Sequence, residues 1–195
     1  MKEGEGEASL LVLGLGNVLC SDDGLGVEAV HRLRRRYEIP EEVTVLDGGT
    51  LGLALLTHLA GARRVLLVDA VRDDAPPGSL VRLEGEEVAP AVRDRLSVHQ
   101  VGVSDLLDGL RLLDDYPREL GLLGLVPETL ELGYGLSAAV AKAMPALLSN
   151  LVAEIGRSGF PLAPSFETVG GEDDPPILGS PRPRWPLAGL DHGVL

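Results

Sequence analysis

Hydrophobic positions in this chain alternate between short unbroken runs and helical stripes. Leu10 to Leu13 is a continuous apolar run, the pattern of a parallel strand buried on both faces. It feeds Gly14-Leu15-Gly16-Asn17-Val18-Leu19-Cys20-Ser21-Asp22-Asp23-Gly24-Leu25-Gly26, a glycine-rich turn carrying two acids. Leu25, Val27, Val30 and Leu33 then recur near helical spacing, and Glu28, His31, Arg32, Arg34, Arg35 and Arg36 are expected to face outward. Pro40 closes the segment. Val43 to Leu46 predicts a second strand, followed by Asp47-Gly48-Gly49-Thr50 and a helical stretch from Leu51 to Leu59. Arg63 to Val71 is the clearest central strand, with Asp69 at its carboxyl end.

The second half repeats the theme. Ser79 to Leu83 alternates, and its short connection predicts an antiparallel edge strand. A weak helix over Glu86 to Leu96 precedes a loop, Ser97 to Val103, that bears His99 and Gln100. A helix from Ser104 to Leu113 follows, then a last strand from Leu120 to Val126 with Pro127-Glu128 at its end. The longest helix is expected from Ser137 to Ile155, stopped by Gly156 and Gly159. Five strands alternating with helices predict an α/β fold with right-handed parallel crossovers. Residues 1–8 read as a flexible terminus and residues 9–159 as one domain. Seven of the fourteen prolines lie between Pro161 and Pro186, so 160–195 is expected to be an extended or disordered tail.

Composition narrows the function. Hydrophobic residues make up 45% but aromatics only 3%, so the core must be built from Leu, Val and Ala. A net charge of −13, without evident segregation, disfavours nucleic-acid partners. One cysteine excludes an internal disulfide and thiolate-rich zinc or iron–sulfur sites within the chain. The acidic, glycine-rich start lacks a signal-peptide pattern, and no run of ~18 apolar residues is present. A cytoplasmic protein without a membrane anchor is expected, a monomer by default.

The candidate chemistry sits where strands end. Gly14-Leu15-Gly16 invites a dinucleotide reading, but the third glycine is replaced by Leu19 and two acids would repel a pyrophosphate. Asp22, just before a helix, is expected to be its N-cap. One helix needs one cap, which leaves Asp23 to be explained. If Asp23, Asp69 and His99 converge, two carboxylates and an imidazole suit nickel, zinc or manganese, with positions open for substrate or water. The spacing alone does not establish convergence. Cys20 reads as a small apolar filler, His31 and His58 as surface residues, and His192 as solvated. No serine sits in a Gly-x-Ser-x-Gly elbow.

Gly14 to Leu19, Asp22-Asp23-Gly24-Leu25-Gly26, Asp47-Gly48-Gly49-Thr50, Val68-Asp69-Ala70, Ser97-Val98-His99-Gln100 and Val126-Pro127-Glu128 occur in the order of a known pattern. The chain resembles the nickel–iron hydrogenase maturation endopeptidases from about Leu10 to Gly159. The resemblance implies a three-layer, twisted, mostly parallel five-stranded sheet with helices on both faces, phosphorylase/hydrolase-like. It implies removal of a C-terminal extension from a hydrogenase large-subunit precursor after nickel insertion. Asp23, Asp69 and His99 match the family's metal-contacting and catalytic set, with Asp23 standing where some members have Glu. Asp47, Gly48, Gly49 and Thr50 match its substrate-recognition motif. The nickel is expected to arrive with the substrate. The metal, or a carboxylate acting as in an aspartyl protease, then activates water. Two alternatives stand beside this reading. One is a non-catalytic chaperone that checks nickel loading. The other is a peptidyl-tRNA hydrolase-like enzyme, which shares Gly-Leu-Gly-Asn but continues with Pro-Gly where this chain has Val18-Leu19.

Overall fold

The computed structural model describes residues 10–93 and 101–165. Strand β1 (Leu10–Leu15) is buried throughout and leads through a 3-10 turn, Ser21–Gly24, into helix α1 (Leu25–Arg36). A two-residue strand β2 (Tyr37–Glu38) and strand β3 (Val43–Gly49) follow. The stretch expected as one helix from Leu51 is a 3-10 turn, Gly52–Leu55, and a single turn, α2 (Leu56–Leu59). Next come β4 (Arg64–Ala70), β5 (Leu80–Glu84) and α3 (Val88–Arg93). Helix α4 (Val101–Leu112) starts before the expected Ser104. The described chain ends with β6 (Glu119–Leu125), α5 (Ala138–Arg157) and β7 (Ala163–Pro164).

The main sheet has the order β3-β1-β4-β6-β5. Every pair is parallel except β5 with β6, so the expected antiparallel edge strand is present. Because side chains alternate across a strand, Leu10 and Val12 face one layer, α1 with α5, while Leu11, Leu13 and Leu15 face the other, α2 to α4. Among the described residues, both layers are filled by Leu, Val, Ala, Met and Ile without a buried aromatic. Helix α5 is long and apolar enough to cross a membrane by length and composition. Its Val140, Met144, Leu147, Leu148, Leu151 and Ile155 instead form one buried stripe in the core facing the sheet.

Two glycines set how closely α1 lies on the sheet. A Cβ at Gly26 would fall 2.0 Å from the Val68 carbonyl oxygen and 2.5 Å from that of Leu15. One at Gly14 would fall 2.3 Å from the Gly26 oxygen. Only hydrogen at both positions lets the helix start directly on β1 and β4. This close approach also buries part of the helix's polar side. Glu28, expected outside, is only 7% exposed and accepts a hydrogen bond from Arg32 Nε at 2.6 Å. The reason is spacing: a helix seated this low cannot keep so wide a polar face in solvent.

The segment after Gly159 begins in contact with the domain. Phe160 and Leu162 pack on the α1–α5 core, and β7 pairs antiparallel with β2. The Ser165 amide donates to the Arg36 carbonyl at 2.8 Å. Residues 1–9 and 166–195, including most of the expected tail and His192, lie outside the described residues.

Candidate active site

The site is assembled by strand register. Gly14 of β1 is level with Asp47 of β3 on one side and with Val68 of β4 on the other. The acids therefore leave the sheet together, at its carboxyl edge. The chain runs from β1 outward to β3 and returns across β1 to β4, so β1 and β4 flank the topological switch point. Open α/β sheets form their ligand crevice there, because the connections diverge to opposite faces. Asp23 follows β1 and Asp69 ends β4.

Asp69 is fully buried, and its Oδ1 accepts the Ala70 amide at 2.7 Å. By the two-residue period it shares the face of Val65 and Leu67, the layer that contains α4. His99 precedes α4 by two positions in sequence but, with Gln100, lies outside the described residues. Asp23 is 3% exposed, and its Oδ2 accepts the Asn17 amide at 2.8 Å. Gly16, at φ +119°, makes this turn possible: a Cβ there would fall 1.7 Å from the Asp23 carbonyl oxygen. Among the described residues no group of three or more His, Cys, Asp and Glu side chains is placed to hold a metal. The described donors that suit one are the two carboxylates, Asp23 and Asp69.

Asp22 is not the helix cap its position predicts. Neither the 3-10 turn nor α1 has a side-chain cap; Cys20 and Gly24 occupy those positions. The fully buried Asp22 carboxylate reaches across to the segment between β6 and α5. Its Oδ2 accepts the amides of Glu128 at 2.9 Å and Thr129 at 3.2 Å, and Oδ1 accepts that of Ser137 at 2.7 Å. These donors outcompete a cap because the 3-10 turn aims residue 22 inward, away from the first amides of α1.

The Asp47-Gly48-Gly49-Thr50 motif borders the same edge. A register shift between Gly14 and Leu15 leaves Gly48 as the extra residue. Gly49 takes φ +43° and accepts the Gly16 amide at 3.1 Å, and Thr50 is exposed. Asp47 Oδ2 meets His31 Nε2 at 2.8 Å, so His31, expected on the surface, is partly buried in a helix-to-motif pair. Sequence reasoning missed this partner; the signal available was its place on α1 facing the following strand. Cys20 is half-buried and forms an isolated bridge with Gly133. Leu19, Leu132 and Tyr134, all exposed, flank that bridge.

Two buried acids at the switch point of a three-layer α/β sheet, with a glycine motif beside them, suit polar chemistry rather than a nucleotide cradle. The hydrogenase maturation protease family model matches residues 27–154. The hydrogenase 2 maturation protease of Escherichia coli is 37% identical over 156 residues, covering 80% of this chain and 95% of that protein. The hydrogenase expression/formation protein HupD of Bradyrhizobium diazoefficiens is 41% identical over 63% of this chain and 64% of its own length. Among solved structures, the hydrogenase maturating endopeptidase HybD from E. coli superposes with a TM-score of 0.78 at 36% identity, covering 82% of this chain and 99% of that one. The [NiFe] hydrogenase maturation protease HybD from Thermococcus kodakarensis gives 0.60 at 30% identity, over 73% and 96%. The chain belongs to the hydrogenase maturation protease family and is an endopeptidase. The peptidyl-tRNA hydrolase-like alternative is set aside.

Proposed function

We propose that this endopeptidase removes the C-terminal extension of a nickel–iron hydrogenase large-subunit precursor once nickel is in place. Asp23, Asp69 and His99 take up ligand positions on the substrate's nickel and so dock the precursor. The observation that carries this reading is the emergence of Asp23 and Asp69 at one switch point, both buried. A buried carboxylate is tolerated where it is hydrogen-bonded or paired with opposite charge, and a divalent cation carried by the substrate adds such a charge beside Asp23 and Asp69. Borderline divalent ions suit a mixed carboxylate and imidazole set.

The residues' work is then binding and proton handling. Asp47 to Thr50, pinned to Gly16, recognises the precursor beside the site, and the exposed Leu19, Leu132 and Tyr134 offer apolar contact to the incoming polypeptide. Asp23 or Asp69, through the carboxylate oxygen that does not face the metal, accepts a proton from the attacking water, and the same proton passes to the leaving amine. The substrate's nickel supplies Lewis acidity near the scissile bond. In this reading the reaction takes place in the cytoplasm, with the enzyme acting as a monomer.

Mass spectrometry of the large subunit's C-terminus tests the proposal. Nickel-loaded precursor is expected to be shortened and nickel-free precursor left intact. Equal trimming of both would remove the metal-docking reading. Nickel-dependent binding without any trimming would favour the checkpoint chaperone.

A further inference from the structure

We infer that Asp22 is the positioning residue of this site: it locks the turn that presents Asp23 onto the segment joining β6 to α5. The inference rests on Asp23 acting in processing, and deepens that reading. Both oxygens of the Asp22 carboxylate are engaged, by the amides of Glu128, Thr129 and Ser137 at 2.9, 3.2 and 2.7 Å. The backbone adds a second set of ties between the same two segments. The Asp22 amide donates to the Thr129 carbonyl at 3.2 Å, Ser21 to Gly133 at 2.9 Å, and Gly133 back to Leu19 at 3.0 Å.

These bonds restrain the neighbouring residue for a geometric reason. Successive Cα atoms across a planar trans peptide are held about 3.8 Å apart. With Asp22 fixed at its amide and at both side-chain oxygens, Asp23 has little freedom to move. Its amide donates to the Cys20 carbonyl at 3.0 Å and its carboxylate accepts from Asn17, which closes the turn on itself. A carboxylate bound by three amides is also a strong tie, since hydrogen bonds to an ionised acceptor exceed neutral ones. Simple structural support needs no acid at this point; a neutral side chain or apolar packing could join two loops. An acid with three amide donors fixes orientation as well as proximity.

Two variants remove the tie from opposite ends. Asp22→Asn keeps the shape but turns an amide donor toward backbone N–H groups. Ser137→Pro removes one donor at a residue whose φ of −57° already suits proline. Ser137 also caps α5 through its hydroxyl, accepting from Val140, so Ser137→Gly, which loses the cap but keeps the N–H, is the reference. The measurements are kcat and KM for trimming of nickel-loaded precursor and the 1H–15N resonance of the Asn17 amide, which donates to Asp23. Asp22→Asn is expected to lower kcat by roughly 10- to 100-fold with KM nearly unchanged, the scale of a small misplacement of a reacting group. Ser137→Pro is expected to fall about tenfold below Ser137→Gly, and the Asn17 resonance to move in Asp22→Asn and Ser137→Pro. Folded variants with wild-type kcat and an unmoved Asn17 resonance, alongside an inactive Asp23→Asn, would overturn the positioning role alone. Trimming that survives Asp23→Asn would overturn the site reading, and this inference with it.

Discussion

The two ends of the same sheet handle charge in opposite ways. At the amino edge, where β1, β4 and β6 begin, charges are exposed or half-buried and paired with one another. Arg64 meets Glu119 at 2.9 Å, and Arg82 bonds both Glu84 and Glu154, with Arg157 joining Glu154. A cleft of about 350 Å³ lies there, lined by Arg64, Arg118, Glu119 and Glu154, remote from the acids of the site. At the carboxyl edge the acids are buried, and backbone amides hold Asp22, Asp23 and Asp69. Solvated ion pairs contribute little and tolerate rearrangement. Acids fixed by amides in a dry setting keep a set geometry, which is what chemistry on a docked substrate requires. The cleft at the amino edge is thus the poorer site.

The contrast can be broken by mutation, most severely at the carboxyl edge. Asp23→Asn and Asp69→Asn are each expected to lower trimming by about 10²- to 10⁴-fold while far-UV circular dichroism stays unchanged. Next comes the helix seat. Gly26→Ala places a methyl against the Val68 and Leu15 carbonyls and should cost about 1–3 kcal/mol in urea unfolding. It should also lower trimming by shifting α1 and the acid turn ahead of it. A smaller effect is expected at the motif. His31→Ala leaves Asp47 without its 2.8 Å partner and should raise KM by roughly fivefold with kcat held, an effect on the scale of one net hydrogen bond.

The amino edge should respond least. Burial pushes Glu154 up, but hydrogen bonds from Arg82 and Arg157 outweigh it and hold this carboxyl below its ordinary value. A carboxyl depressed on folding stabilises the native state at higher pH, and that contribution is lost as pH falls through its folded value. Glu154→Gln is therefore expected to cost at most about 1 kcal/mol near neutral pH. The difference from wild type should start to shrink in urea titrations as pH falls below the ordinary Glu value of about 4.3 and vanish once pH has passed the lower folded value, and trimming should be unaffected.

Much of this was legible in the sequence. Strand ends could be read because buried parallel strands appear as short apolar runs, and Asp69 and Asp47 stand where such runs stop. The pattern also placed Asp23 in the turn after β1. Asp22 was misread because a cap is a local device, whereas its partners lie 106 to 115 residues away. His31 was misread for the same reason: its partner Asp47 is in β3, 16 residues on. Glu28 faced the limit of helical periodicity, which ranks faces but does not say how deeply a helix is seated. That depth is set by Gly14 and Gly26, whose effect depends on strands brought together only by folding.

The most direct test sets the two edges against each other in one assay: mass spectrometry of nickel-loaded precursor after incubation with wild type, Asp69→Asn and Glu154→Gln. Wild type and Glu154→Gln should shorten the large subunit at matching rates, and Asp69→Asn should leave it full length. Trimming by Asp69→Asn at the wild-type rate, or its loss in a folded Glu154→Gln, would contradict a catalytic site at the carboxyl edge.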